Sequence, residues 1–224
     1  MLNKTLIVDN TNIGNVQHSK FLGVIIDQSL TFYNHIQHMK GKIARSLGIL
    51  YKCRKYFNES TLLTLYNAFI YPYFTYCIPV SVNTFNSYLQ PLIKLQKRAI
   101  RIIANADIRA NTSPLFTKFN ILNLAKLHLF SVQLFVYNYV QDQLPDIFAN
   151  FFIRNSSVHS HFTRQSNNLH VPIFHSSQSS RTIRCFGVKS FNYFESLIDM
   201  NCSYYCYKKH LKYFLINNEI PFLD

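Results

Sequence analysis

From Ser60 to Ile93 the chain carries no charged side chain. A segment of this kind is expected to place much of its apolar surface in a bilayer or a protein core, because that surface gains free energy out of water. A helix that crosses a bilayer needs about 20 consecutive apolar residues. Here Asn67, Asn83, Asn86, Pro72, Pro79 and many tyrosine hydroxyls interrupt the run. Those interruptions favour an aromatic-rich helical core over a membrane span, so no membrane partner is expected. The competing reading is a protein anchored in a membrane by residues 60–82.

The segments on either side of this stretch are amphipathic. Residues 33–57 predict a helix, with Ile36, Met39, Ile43, Leu47 and Leu50 at three- and four-residue steps on one face. His38, Lys42, Arg45 and Lys52 fall opposite, and no acidic residue occurs between Asp27 and Glu59. Gly41 and Gly48 lie near that basic side, where each costs about 1 kcal/mol relative to alanine. Either something bulky approaches the helix there or they are tolerated surface glycines. Residues 88–106 repeat the pattern more cleanly: Leu92, Leu95, Ala99, Ile102 and Ile103 face one way, and Lys94, Lys97, Arg98 and Arg101 the other. Surface helices usually mix in acidic partners for such cations. This one has none, so it reads as a track for phosphates.

The remaining elements follow from turn and cap residues. Residues 5–9 and 16–27 predict two strands of a β-hairpin, joined through the Asn, Thr and Gly14 of 9–15. The second strand, nearly all apolar from Phe21 to Ile26, is expected to be covered on both faces. A helix starting at Asn58 or Ser60 would bury Leu62, Leu65, Tyr66, Phe69 and Ile70, and Pro72 and Pro79 would bend or end it. Ser113-Pro114 predicts a capped short helix ending near Asn120, and 122–141 a long buried one broken at Leu144-Pro145-Asp146. Residues 155–184, rich in Ser, Asn, His, Thr and Arg, predict extended or loop structure. Helical spacing returns over 191–215. The expected fold is mainly α, with an N-terminal β-hairpin (1–32), a basic helical region (33–110) and a helical and extended C-terminal region (111–224).

Charge points to the partner. Twenty-three Lys and Arg oppose ten Asp and Glu, a formal net charge of +13, which suits a polyanion such as nucleic acid. Cys53, Cys77, Cys185, Cys202 and Cys206 are odd in number and widely spaced, which argues against a disulfide framework and for an intracellular location, nuclear or cytoplasmic. The first eight residues are too short and polar a stretch for a signal peptide.

Lys20-Phe21-Leu22-Gly23-Val24-Ile25-Ile26-Asp27-Gln28-Ser29-Leu30-Thr31-Phe32-Tyr33-Asn34-His35-Ile36 resembles the junction that follows the catalytic palm in reverse transcriptases of non-LTR (LINE-type, jockey-like) retrotransposons. The resemblance runs over nearly the whole chain. Lys42-Ile43-Ala44-Arg45-Ser46-Leu47-Gly48-Ile49-Leu50 is similar to the family's first thumb helix, and residues 65–74 to its second. Pro91-Leu92-Ile93-Lys94-Leu95-Gln96-Lys97-Arg98-Ala99-Ile100-Arg101 resembles the basic helix that follows. Thr163-Arg164 and Gly187 through Asn192 resemble post-thumb elements. Two places depart from the pattern. Ile78-Pro79-Val80-Ser81-Val82-Asn83 stands where the family commonly has Val-Trp-Gly, and Phe191 stands where Trp is usual.

The resemblance implies that residues 1–32 are the edge of a palm, 33–110 a thumb and 111–224 a post-thumb region. It also implies an RNA template with a DNA primer, or their hybrid, as partner, together with an upstream palm of the same polyprotein. The family's catalytic aspartates lie upstream of the junction, and nineteen residues precede Lys20, so the expectation is a C-terminal part of the polymerase. Two-metal polymerisation needs clustered carboxylates holding ions about 3.5–4 Å apart. This chain has no adjacent acidic pair, so no catalytic residue and no cofactor is assigned; Mg2+ belongs to the complete family member. Cys202, Cys206 and His210 are spaced four apart and could share a helical face, but a metal would need a fourth ligand such as His159, His161 or His175. Small buried cysteines are the ordinary alternative, so no metal ligand is assigned. From helical faces alone, Lys42, Arg45, Lys52, Lys94, Lys97, Arg98 and Arg101 are expected to contact the phosphates.

Overall fold

The structure is a computed structural model describing residues 6–9, 11–14, 16–158, 164–173, 176 and 179–221. Strands come first: β1 (Leu6–Val8) pairs antiparallel with β2 (Thr11–Ile13), and β3 (His18–Phe21) with β4 (Val24–Asp27). Helices follow: α1 (Tyr33–Cys53), α2 (Glu59–Phe69), α3 (Tyr71–Thr75), α4 (Ile78–Ser81) and α5 (Asn86–Ile103). Then come α6 (Ser113–Lys118), α7 (Leu124–Val140), α8 (Asn155–Val158), α9 (Val188–Phe194) and α10 (Tyr204–Asn217). The fold is mainly α behind antiparallel N-terminal hairpins, as the sequence predicts. Among the described residues, no helix is long and apolar enough to cross a membrane.

The N-terminal pairing differs from the expected single hairpin. Residues 16–27 fold back on themselves at Leu22 (φ 45°) and Gly23 (φ 83°). Left-handed backbone at both positions makes a two-residue turn whose twist matches the strands it joins. The Tyr76 hydroxyl donates to the Leu22 carbonyl and pins the turn to the end of α3. Phe21 and Leu22 are consequently 64% and 73% exposed rather than covered, while Val24 is buried.

The apolar stripe Ile36, Met39, Ile43, Leu47 and Leu50 of α1 is buried throughout. The helix ends at Cys53, short of the expected 57, and the chain turns back into α2 at Asn58, whose side chain accepts from the Thr61 N–H. Leu62, Tyr66 and Ile70 are buried, but Phe69 is 54% exposed: α2 stops there and Ile70 takes the inward position. Pro72 and Pro79 open α3 and α4, where a missing N–H costs nothing. Ser113 lies inside α6 and does not cap it; Thr112 holds the cap position.

One apolar cluster runs from Ile36 to Ile220 and joins residues on both sides of position 110. A smaller cluster sets Val132 and Val136 of α7 against Phe152, Leu169, Val188 and Phe191. Gly187 lets the two meet: a Cβ there would stand 3.2 Å from both valines and 3.3 Å from Ile183. Residues 164–173 and 176 are irregular apart from a bridge between Arg154 and Leu169, as expected, whereas Asn155–Val158 form α8. Asn192 holds Leu169 by accepting its N–H at 3.1 Å and donating to its carbonyl at 2.9 Å. The helical spacing expected over 191–215 resolves into two helices, α9 and α10. The break between α9 and α10 is held by α7, because Gln141 donates to the Met200 carbonyl and Tyr137 to that of Cys202.

Candidate nucleic-acid interface

The cations sit on helices whose opposite faces are locked into the core. On α5, Leu89, Leu92, Gln96, Ala99, Ile100, Ile102 and Ile103 are buried. Gln96 was not predicted inside; it donates to the Leu122 carbonyl at 3.0 Å and to the Tyr66 hydroxyl at 3.5 Å, which fixes the rotation of the helix. That rotation leaves Lys94, Lys97 and Arg98 exposed. Arg101 is half-buried, and its Nε–H donates to the Ala110 carbonyl at 2.8 Å, so it also holds the loop after α5.

On α1, Arg45 and Lys52 are exposed and Lys42 is half-buried. The Arg45 Nε reaches back to the Gly41 carbonyl at 3.4 Å. Gly41 and Gly48 are exposed, and a Cβ on either would meet nothing within 4 Å. Arg54, just past the helix, lies 4.4 Å over the Tyr51 ring.

α1 and α5 start together and pack against each other. The Thr84 hydroxyl donates to the Thr31 carbonyl at 2.5 Å, and the Tyr33 and Tyr88 rings meet edge to face at 5.0 Å. Residues seven apart share a helix face. Lys40, seven after Tyr33, is therefore the α1 cation on the α5 side, and it is exposed. Lys42, seven after His35, lies instead on the side where His35 Nδ1 accepts from the Ile25 N–H of β4. Arg45 and Lys52 point away from the buried stripe. Sequence reasoning missed Lys40 because the contact that orients α1 is tertiary.

Lys97 faces a cavity of about 540 Å³ between α5, α6, α7 and the end of α10. Lys126, Ser113, Thr117 and Asn218 line it with Lys97. Burial pulls the Lys126 ammonium below its ordinary value, against the raising effect of Glu219, and its Nζ donates to the Asn218 carbonyl at 3.0 Å. A single lysine in the first turn of an apolar helix gave no hint in the sequence that it would line a cavity with Lys97.

The field around these groups is almost uncompensated. Among the described residues the ion pair within 4 Å is Lys118 with Glu59, at 2.8 Å. Acidic groups are engaged elsewhere. Asp27 accepts from the N–H groups of Ser29 and Thr31 and from the Thr31 hydroxyl, at 3.2, 3.0 and 3.0 Å. Burial alone would raise its carboxyl; those hydrogen bonds outweigh it and lower it. Asp142 lies in the turn after α7 with φ 51°, and Asp146 lies beyond Pro145, so the pair shares no helical face. The carboxylates therefore do not fit a two-metal site, and no polymerisation step is derived from them.

No family model, curated protein or solved structure matches this chain.

Proposed function

We propose that the chain is the duplex-gripping C-terminal part of an RNA-directed DNA polymerase of a mobile element, a thumb and post-thumb region resembling those of non-LTR retrotransposon reverse transcriptases. The observation that carries this reading is the row of exposed cations on α5, Lys94, Lys97 and Arg98, which has no carboxylate at ion-pair distance among the described residues. Lys40 flanks this row from α1 and Arg101 contributes from a half-buried position, while Arg45 and Lys52 carry charge on the outward side of α1 and Lys42 on the side toward β4. An RNA–DNA hybrid has an A-like geometry whose deep, narrow major groove resists reading by side chains. Binding would therefore go through phosphates and sugars, with little sequence preference. The exposed Phe21 and Leu22 would be the surface on which an upstream palm packs. The proposed location is intracellular.

The test is equilibrium binding to an RNA–DNA hybrid over a range of salt. Neutralising roughly five phosphates gives a log–log slope near roughly −4. A chain that ignores hybrids but binds acidic proteins would be a helical scaffold instead. Primer extension on an RNA template by this chain alone should give no product, because no carboxylate cluster is present among the described residues to hold the metals.

A further inference from the structure

α10 begins at Tyr204, and its cap, Ser203, accepts from the Cys206 N–H at 3.4 Å. Cys202 precedes that cap, so it sits on the loop and not on the helix as the four-residue spacing suggests. Cys206 lies in the first turn and His210 one turn further. The three donor atoms nonetheless come within 4.8 Å of one another, and Cys206 Sγ stands 3.8 Å from a His210 ring nitrogen.

Those separations match what a thiophilic metal requires. A tetrahedral Zn2+ with bonds of about 2.3 Å to sulfur and about 2.0 Å to nitrogen sets its ligands about 3.5–3.8 Å apart. Closing the widest pair here takes a shift of about 1 Å, within the reach of side-chain rotation. Both cysteines are half-buried and His210 is exposed, so an ion can enter from solvent. The Cys202 backbone is already fixed, because its carbonyl accepts from the Tyr137 hydroxyl.

We propose that Cys202, Cys206 and His210 form a Zn2+ site, with water as the fourth ligand, that fastens the loop before α10 to its first turns. Binding takes two thiols to thiolates and releases two protons to solvent; His210 enters neutral, and nothing is oxidised or reduced. The bound ion would fix the start of α10 where it packs on α7, at the stacked pair Tyr137 and Tyr207 with centroids 4.2 Å apart. The site stands independently of the nucleic-acid reading.

The experiment is a titration of the reduced full chain with Co2+, followed by competition with Zn2+. The expected result is thiolate-to-cobalt charge-transfer absorption saturating at one ion per chain and abolished by one equivalent of Zn2+. Cys206→Ser and His210→Ala should each weaken Co2+ binding by at least about tenfold. Cys53→Ser and Cys77→Ser should leave the spectrum unchanged. His210 is exposed, so its variant keeps the fold, as far-UV circular dichroism will verify. Absence of the charge-transfer band, a band indifferent to Cys206→Ser, or a Cys202–Cys206 disulfide that persists in reductant would each overturn the site.

Discussion

The imidazole of His128 stacks on the Phe186 ring, with centroids 5.2 Å apart and planes 10° from parallel. This contact ties α7 to the π-turn at Ile183–Gly187. Burial pulls the histidine down to about 4, against the raising effect of its hydrogen bond to the Pro79 backbone. The folded state therefore holds His128 neutral while the unfolded chain protonates it near about 6.5. Its contribution is complete above that pH and is lost as pH falls toward about 4, by up to roughly 3 kcal/mol. The urea midpoint should drop between pH 7 and pH 5, and His128→Phe should flatten that drop. A wild-type midpoint constant over this interval would remove His128 from the account.

Replacing Lys94, Lys97 and Arg98 together by Ala should weaken hybrid binding equally for all sequences. Three fewer phosphate contacts flatten the salt slope by roughly 2–3. All three side chains are exposed, so the melting temperature should hardly move. An unchanged slope would take the interface off α5.

Gly41→Ala and Gly48→Ala should each stabilise the protein by about 1 kcal/mol, because the new methyl enters open space on a helix. Chemical denaturation measures this directly. If hybrid affinity also falls while the fold is strengthened, a sugar–phosphate backbone lies against that face of α1.

Gln96→Leu should cost about 2 kcal/mol in chemical denaturation, since it strands the buried Leu122 carbonyl and Tyr66 hydroxyl. Tyr66→Phe should cost less, because the glutamine keeps its shorter bond to Leu122. Equal costs would mean that the Leu122 bond does not dominate.

Much of the helical frame was legible in the sequence, because periodicity reports which face is buried. The stripe Ile36 to Leu50 came through unaltered, and of the two candidate caps, Asn58 and Ser60, the chain uses Asn58. Short-range pattern failed where long-range contacts decide. The turn at Leu22-Gly23 is anchored by Tyr76, more than fifty residues away. The break before α10 is held by carbonyl bonds from α7. For the candidate interface, the identity of the α5 cations was readable, but their neighbours were not. Lys40 and Lys126 join the surface through tertiary packing that no spacing rule encodes. His159, His161 and His175, considered as metal ligands, lie outside the described residues.

Gly187 separates two uses of one amino acid. The exposed glycines of α1 could carry a methyl freely, whereas at 187 the same methyl would stand 3.2 Å from two valines of α7. It would act as a thin shim, asking those side chains to give by a few tenths of an ångström where α9 meets the long helix. The seam between α7 and α9 is therefore where one added carbon would be felt, a lesion visible as local loss of amide protection along that seam while α10 stays seated in the main core.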